Sequence, residues 1–294
     1  MEISQIISQS KEIQDWIVEK RRTIHRNPEL MYEEFETSKL VQNTLEDLDI
    51  PFEKDIAITG VVGKIGNGKD PCIALRADMD ALPIHEQADV EFRSKIDGKM
   101  HACGHDCHTA MLLGAARILK KNESSIEGTI KLIFQPAEEG GAGGKMMKEQ
   151  GVLEKPKVQQ IYALHVAGTM PMGTLSSKEG TLLAATSSIK IVVSGKGGHA
   201  AAPHHTIDPV VTGSKIIVEL QTLISRELSP LESGVISITM VNAGTATNVI
   251  PPEMELQGTI RSLTNEGISL LQTRVKEVAE SIAKANRCEV KVTF

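Results

Sequence analysis

The sequence predicts an α/β protein of two domains, from three observations. From residue 71 to about 168, short apolar strands alternate with segments of helical period. From 184 onward the order becomes strand, helix, two strands, helix, strand, which is a complete ferredoxin-like unit. Between the first apolar strand and the helix that follows it lies MHACGHDCHTAM, where eight residues carry six cation-binding side chains: His101, Cys103, His105, Asp106, Cys107 and His108. That much imidazole, thiol and carboxylate is costly to crowd together without a cation. A chain of 294 residues suffices for two domains. The boundary is expected at 1–183 and 184–294, beside the glycine-bearing stretch PMGTLSSKEG.

MEISQIISQSKEIQDWIVEKRR carries its apolar residues at helical spacing and predicts an amphipathic helix. PCIALRADMDALP is a strand ending in Asp78 and Asp80, and TAMLLGAARILKKN is the helix that the cluster opens. GTIKLIFQPAEEGG is a strand ending in Glu138 and Glu139, GGKMMKEQG a short helix, and QQIYALHVAG a strand ending at His165. Continuous apolar strands separated by helices imply a mostly parallel sheet covered on both faces. Ligands of such sheets gather beyond the carboxyl ends of the strands, so these acids and histidines are expected on one rim. In the second domain SSIKIVVSGK, GVISITMVNAG, EMELQGTIRS and CEVKVTF are strands, with helices over IDPVVTGSKIIVELQTLIS and NEGISLLQTRVKEVAESIAKANR.

A net charge of -6 and a pI near 5.9, with no basic stripe carrying interleaved aromatics, argue against a nucleic-acid partner. No run of about 18 apolar residues predicts a membrane span, and the N-terminal segment lacks the apolar core of a signal peptide. A cytoplasmic protein without disulfides is therefore expected, with Cys72 and Cys288 as buried thiols.

Among the candidate site residues, adjacent acids at a strand end point in different directions. One of Glu138 and Glu139 can bind a cation while the other moves a proton; the alternative is an acidic pair at the start of the next helix. Asp78 and Asp80 are either ligands or supports of ligands. His165 is either a ligand or a core histidine at a strand end. His199, in the glycine-rich loop GKGGHAAAPHH, is placed to donate to a developing oxyanion or is simply an exposed loop residue. The ferredoxin-like sheet leaves an edge strand that must be covered, charged or paired, which predicts a homodimer.

The stretches RRTIHRNPELMYEEFET, ALRADMDALPI, MHACGHDCHTAMLLGAA, LIFQPAEEGG, ALHVAG, GKGGHAAAPH, GTATNVIP and GTIRSL together resemble the M20 family of metal-dependent amidohydrolases and peptidases. Within that family the resemblance is to the branch that cleaves N-acyl amino acids, including hippurate and indole-acetyl amino acids. It implies a di-metal catalytic domain interrupted by an inserted lid that dimerises. Cys103, His105, Glu139 and His165 match its metal ligands, Glu138 its general base, and His199 a residue contributed by a partner's lid. Asn248 and Arg261 match residues that hold the substrate's carboxylate. The implied cofactors are two divalent ions, Mn2+ or Zn2+, with Co2+ and Ni2+ also suited. The implied partner is a small N-acyl amino acid, with neither nucleic acid nor membrane involved.

Asp78 stands where other branches have a metal-binding histidine, and His101 and His108 read as supports. Cys107 replaces a usually small residue. In the family the chain leaves the lid, returns to the catalytic domain and adds one more metal-binding histidine, whereas this chain stops at Phe294. A missing ligand and weak or absent activity are therefore expected. The alternatives are an inactive dimerising fragment, or an aminopeptidase or dipeptidase using the same metal pair.

Overall fold

A computed structural model describes residues 2–294. Where one N-terminal helix is expected there are two, α1 (Ile3–Glu12) and α2 (Gln14–Arg26). They divide at Ile13, and the break lets both lie against the later helix over His105–Lys121. Then follow α3 (Phe35–Asp47), β1 (Phe52–Ile56), β2 (Gly60–Gly66), β3 (Cys72–Asp78), α4 (His105–Lys121), β4 (Thr129–Gln135), α5 (Gly143–Glu149) and β5 (Gln160–Ala163). These elements form the first of two compact units, which ends at Pro171.

Its sheet has the order β1-β2-β4-β3-β5. β3 pairs in parallel with both β4 and β5, but β2 runs antiparallel to β4 and to β1. The sheet is thus mixed rather than mostly parallel. The physical reason is the hairpin β1–β2: a short turn through Ala57 and Ile58, at φ 49 and 80, joins antiparallel neighbours without any crossover. One face packs Val41 and Leu45 of α3 and Leu112, Leu113 and Ala116 of α4 against Val61, Ala77, Leu132 and Phe134. The other face buries Val62, Ala74 and Ile133 beneath Met147 and Val152. Lys131, inside β4, is buried and donates to the carbonyls of Val152 and Glu154, which ties the 152–158 loop to the sheet.

The second unit spans Met172–Phe294. Its start precedes the boundary expected at 183/184, because residues 172–184 form no helix or strand and their contacts fall with the elements after them. It contains β6 (Ala185–Ser194), β7 (Gly198–His199), α6 (Pro209–Thr222), β8 (Gly234–Ala243), β9 (Val249–Ile250), β10 (Glu253–Ser262), α7 (Asn265–Ala285) and β11 (Glu289–Thr293). The order β11-β6-β10-β8, antiparallel throughout, is the ferredoxin-like arrangement, and β7 pairs separately with β9.

Its core follows both periods. Ile189, Ile191 and Val193 alternate along β6, while Leu271, Val275, Ala279 and Ala283 recur every fourth residue on α7. β8 is an edge strand with Val235, Met240 and Val241 exposed. No described helix is long and apolar enough to cross a membrane, and all four cysteines are free.

The start of α6 illustrates how local sequence sets an element. Pro209 occupies its first turn, and the Asp208 carboxylate accepts the N–H groups of Val210 at 2.8 Å and Val211 at 3.2 Å. Asp208→Ala is expected to destabilise this unit by about 1 kcal/mol, with Asp208→Asn retaining most of that stability. Urea denaturation followed by helix circular dichroism checks this, and an unchanged midpoint for the alanine variant would contradict it.

Candidate metal centre

Parallel pairing aligns the strand ends that carry the chemistry. Asp78 at the end of β3 pairs with Gln135 at the end of β4, and Arg76 pairs with Ala163 at the end of β5. The segments leaving β4 and β5 carry Glu138, Glu139 and His165 onto the same rim. Cys103 and His105 join them at the start of α4. The turn between them depends on Gly104, at φ +86, where an added Cβ would meet Val166 Cγ2 at 2.3 Å.

Two imidazoles are held in the posture of cation ligands. His105 Nδ1 donates to the Asp80 carbonyl at 2.8 Å, which leaves the buried Nε2 without a hydrogen-bond partner. His165 Nδ1 donates to the Val166 carbonyl at 2.7 Å, and its Nε2 lies 3.4 Å from Cys103 Sγ. Donor atoms of Cys103, His105 and His165 lie within 4.8 Å of one another, as do those of His105, Glu138 and Glu139. The buried Glu139 Oε1 also lacks a hydrogen-bond partner. The Cys103 thiol is pushed up to about 12, first by burial and then by Glu139, so only a cation would favour its thiolate. Orphaned lone pairs on N and O beside a thiol are the donor set of a divalent cation, and these residues fit one.

The next layer of groups orients these donors. Asp80 Oδ2 accepts the Glu139 N–H at 2.9 Å, and Oδ1 faces His105 Nδ1 at 3.3 Å. Burial works against its charge, but His105 and the N–H groups of Glu139 and Glu138 hold its pKa below the usual range. Asp78 behaves similarly: its burial is outweighed by the bond to His108 and the charge of Arg76. Its oxygens take His108 Nδ1 and Arg76 Nη1, both at 2.6 Å, so the carboxylate is largely spoken for. His108 Nε2 in turn accepts the Val166 N–H at 2.9 Å, steadying the chain beside His165. Both ring nitrogens of His108 are therefore in use as supports. Glu138 is partly exposed, and burial together with the Glu139 charge raises its pKa toward the range useful for proton transfer.

Behind these supports lies a cluster that the sequence analysis did not single out. His25 Nδ1 bonds Asp106 at 2.8 Å and Nε2 bonds Glu86 at 3.1 Å, while Arg21 Nε approaches Asp106 at 2.6 Å. Arg21 and His25, four residues apart on α2, were the available signal for a polar helix face. Glu86 belongs to the loop 83–99, which the Leu82–Met100 bridge closes. Phe92 of the same loop stacks under Arg21 and Arg22 and against His25. His101 is buried with neither ring nitrogen hydrogen-bonded, and burial lowers its pKa to about 4. It is absent from the described groups able to share a cation, as is Cys107, whose thiol burial pushes up.

In the second unit His199 lies exposed on β7, its Nδ1 accepting the Ala201 N–H at 3.1 Å. Asn248 adjoins it, because the Ala200 N–H donates to the Asn248 carbonyl at 3.0 Å. Arg261 lies on β10, where its guanidinium bonds Thr186, Thr259 and the Ile260 carbonyl. The unit thus joins His199 and Asn248 at the β7–β9 pairing, whereas Arg261 belongs to the four-stranded sheet.

Comparison with known proteins bears on this arrangement. Residues 74–291 match the model of peptidase family M20/M25/M40. The chain is 51% identical over 287 residues to IAA-amino acid hydrolase ILR1-like 2 of Arabidopsis thaliana, covering 98% of this chain and 64% of that protein. It is 44% identical to N-acetylcysteine deacetylase of Bacillus subtilis, covering 91% of this chain and 70% of that protein. The crystal structure of the Bacillus subtilis YXEP protein, a dinuclear metal binding peptidase from the M20 family, superposes with a TM-score of 0.79 at 38% identity. That match covers 96% of this chain and 74% of the other. The chain spans just under two thirds of the Arabidopsis protein's length. With its cation-ready donors at the start of α4 and beyond the ends of β4 and β5, and with these matches, the chain belongs to peptidase family M20.

Proposed function

We propose that this chain is a metal-dependent amidohydrolase that cleaves the amide bond of N-acyl amino acids. The observation that carries the proposal is the convergence of Cys103, His105, His165, Glu138 and Glu139, with the Nδ1 of each imidazole committed to a backbone carbonyl. Relatives that hydrolyse IAA-amino acids and N-acetylcysteine support the substrate class. Two divalent cations, Mn2+ or Zn2+ foremost, would supply Lewis acidity toward the amide carbonyl and a more acidic water.

Cys103, His105, Glu139 and His165 would hold them. Glu138 takes the proton of the attacking water and delivers it to the leaving amine. Asn248 and Arg261 hold the substrate's carboxylate, a task suited to a guanidinium. His199 donates to the developing oxyanion of a second copy, in a homodimer for which the exposed edge β8 offers a surface.

Cys103→Ser is expected to weaken cation binding about ten-fold or more, because a hydroxyl is a far poorer ligand than a thiolate. Elemental analysis showing unchanged occupancy would remove Cys103 from the ligand set. Glu138→Gln should keep its cations while kcat falls by about a hundred-fold or more. Loss of metal instead would mean that Glu138 and Glu139 exchange roles.

Each variant is assayed on an N-acetyl amino acid and on a dipeptide with a free amine. Turnover of the dipeptide alone would replace the deacylase reading with a peptidase one. Mixing His199→Ala with Glu138→Gln subunits should restore activity if His199 serves the other copy. Confirmed subunit exchange without recovered activity would exclude that role.

A further inference from the structure

We propose that Glu34, with Tyr32, is a positioning residue for Glu138 and Glu139. This rests on the roles proposed above for those two acids. The turn from β4 to α5 carries both, and its backbone is unfavourable: Ala137 and Ala142 sit in the left-handed region at φ 51 and 55. Non-glycine residues persist there only when their surroundings hold them.

The restraint comes from a segment about a hundred positions earlier in the chain. Glu34 is completely buried, and its Oε1 accepts the Ala137 N–H at 2.8 Å, immediately before Glu138. Its Oε2 accepts the Thr59 hydroxyl at 2.6 Å. Beyond the two acids, the Tyr32 hydroxyl donates to the Gly141 carbonyl. The turn is thereby gripped on both sides of Glu138 and Glu139, while the Gly143 N–H closes it on the Ala137 carbonyl at 3.1 Å.

The grip is anchored to the rest of the rim. The Ala81 N–H donates to the Glu29 carbonyl at 2.7 Å, and Leu30 bridges Ala81, one residue past Asp80. The 29–34 segment and Asp80 therefore constrain the same turn from two directions, since Asp80 takes the Glu139 N–H. A buried carboxyl group is an expensive way to hold one backbone N–H and one hydroxyl. Its place is explained if the direction of Glu138 matters more than that cost.

The test uses the full 294-residue chain in three forms: Glu34→Ala, Glu34→Gln and Tyr32→Phe. Cobalt affinity is measured by chelator competition, following visible absorption, alongside kcat and KM on an N-acetyl amino acid. Glu34→Ala should lose about ten-fold or more in both cobalt affinity and kcat, with KM within about two-fold. Glu34→Gln keeps an oxygen acceptor for Ala137 and should recover both to within about three-fold of the parent.

Cobalt affinity and kcat unchanged in a folded Glu34→Ala protein would overturn the proposal, as would failure of glutamine to rescue. If the alanine variant does not fold, Tyr32→Phe decides. Its loss of one hydroxyl should lower kcat and cobalt affinity by about three-fold or more, and parental values in both would overturn the proposal. A parent chain that binds cobalt but hydrolyses no N-acyl amino acid would sink the functional reading alone. The cobalt titrations would still decide the role of Glu34.

Discussion

The carboxylate of Asp80 lies just beyond the end of β3 and divides its two oxygens between two elements. One oxygen accepts the Glu139 N–H at 2.9 Å and the other faces His105 Nδ1 at 3.3 Å. The turn after β4 and the first residue of α4 therefore take their positions from a single side chain just past β3. A buried charge with an incompletely paired oxygen is costly. Its partners recover part of that cost by holding the acid ionised, and both partners are themselves groups of the candidate metal centre.

Strand direction makes this possible. Because β3, β4 and β5 run parallel, their carboxyl ends come level, and successive crossovers return the chain to the same rim. The antiparallel hairpin β1–β2 extends the sheet on the side away from β5, with its tip beside the carboxyl end of β4. Its tip is held from the first unit's own loops, with Gln150 accepting the Ala57 N–H and Glu34 accepting the Thr59 hydroxyl.

Much of this was legible in the sequence, and the rest was obscured for identifiable reasons. The strands that lead to Asp78, Glu139 and His165 announce themselves as continuous apolar runs, and the ligand-rich run at the start of α4 is conspicuous. The βαββαβ order of the second unit follows from period alone. By contrast, β1–β2 is hidden because its turn uses Ala57 and Ile58 where Asn-Gly would have signalled a hairpin. α3 escaped because no capping residue marks its start. The pairings His25–Asp106 and Glu34–Ala137 join positions far apart in the chain, and an isolated histidine or glutamate carries no mark of its distant partner. Asp78 was recognisable as a site residue, but its service to His108 depended on which side chains α4 turned toward it.

The loop 83–99 has no helix or strand, yet it is fastened at its neck by the Leu82–Met100 bridge and at its centre by Glu86 and Phe92. Glu86 also accepts the Ser94 N–H at 2.6 Å within the loop, so lifting the loop would strip His25 of one carboxylate and leave Glu86 only that internal donor. An irregular segment ordinarily opens on its own and exchanges its amide protons early. Here the segment shares its buried contacts with α2, whose His25 also holds Asp106 in the first turn of α4, so its opening is bound to that of α2. In hydrogen exchange such a loop would behave as part of a helix pair, with the protection of structure it does not itself possess.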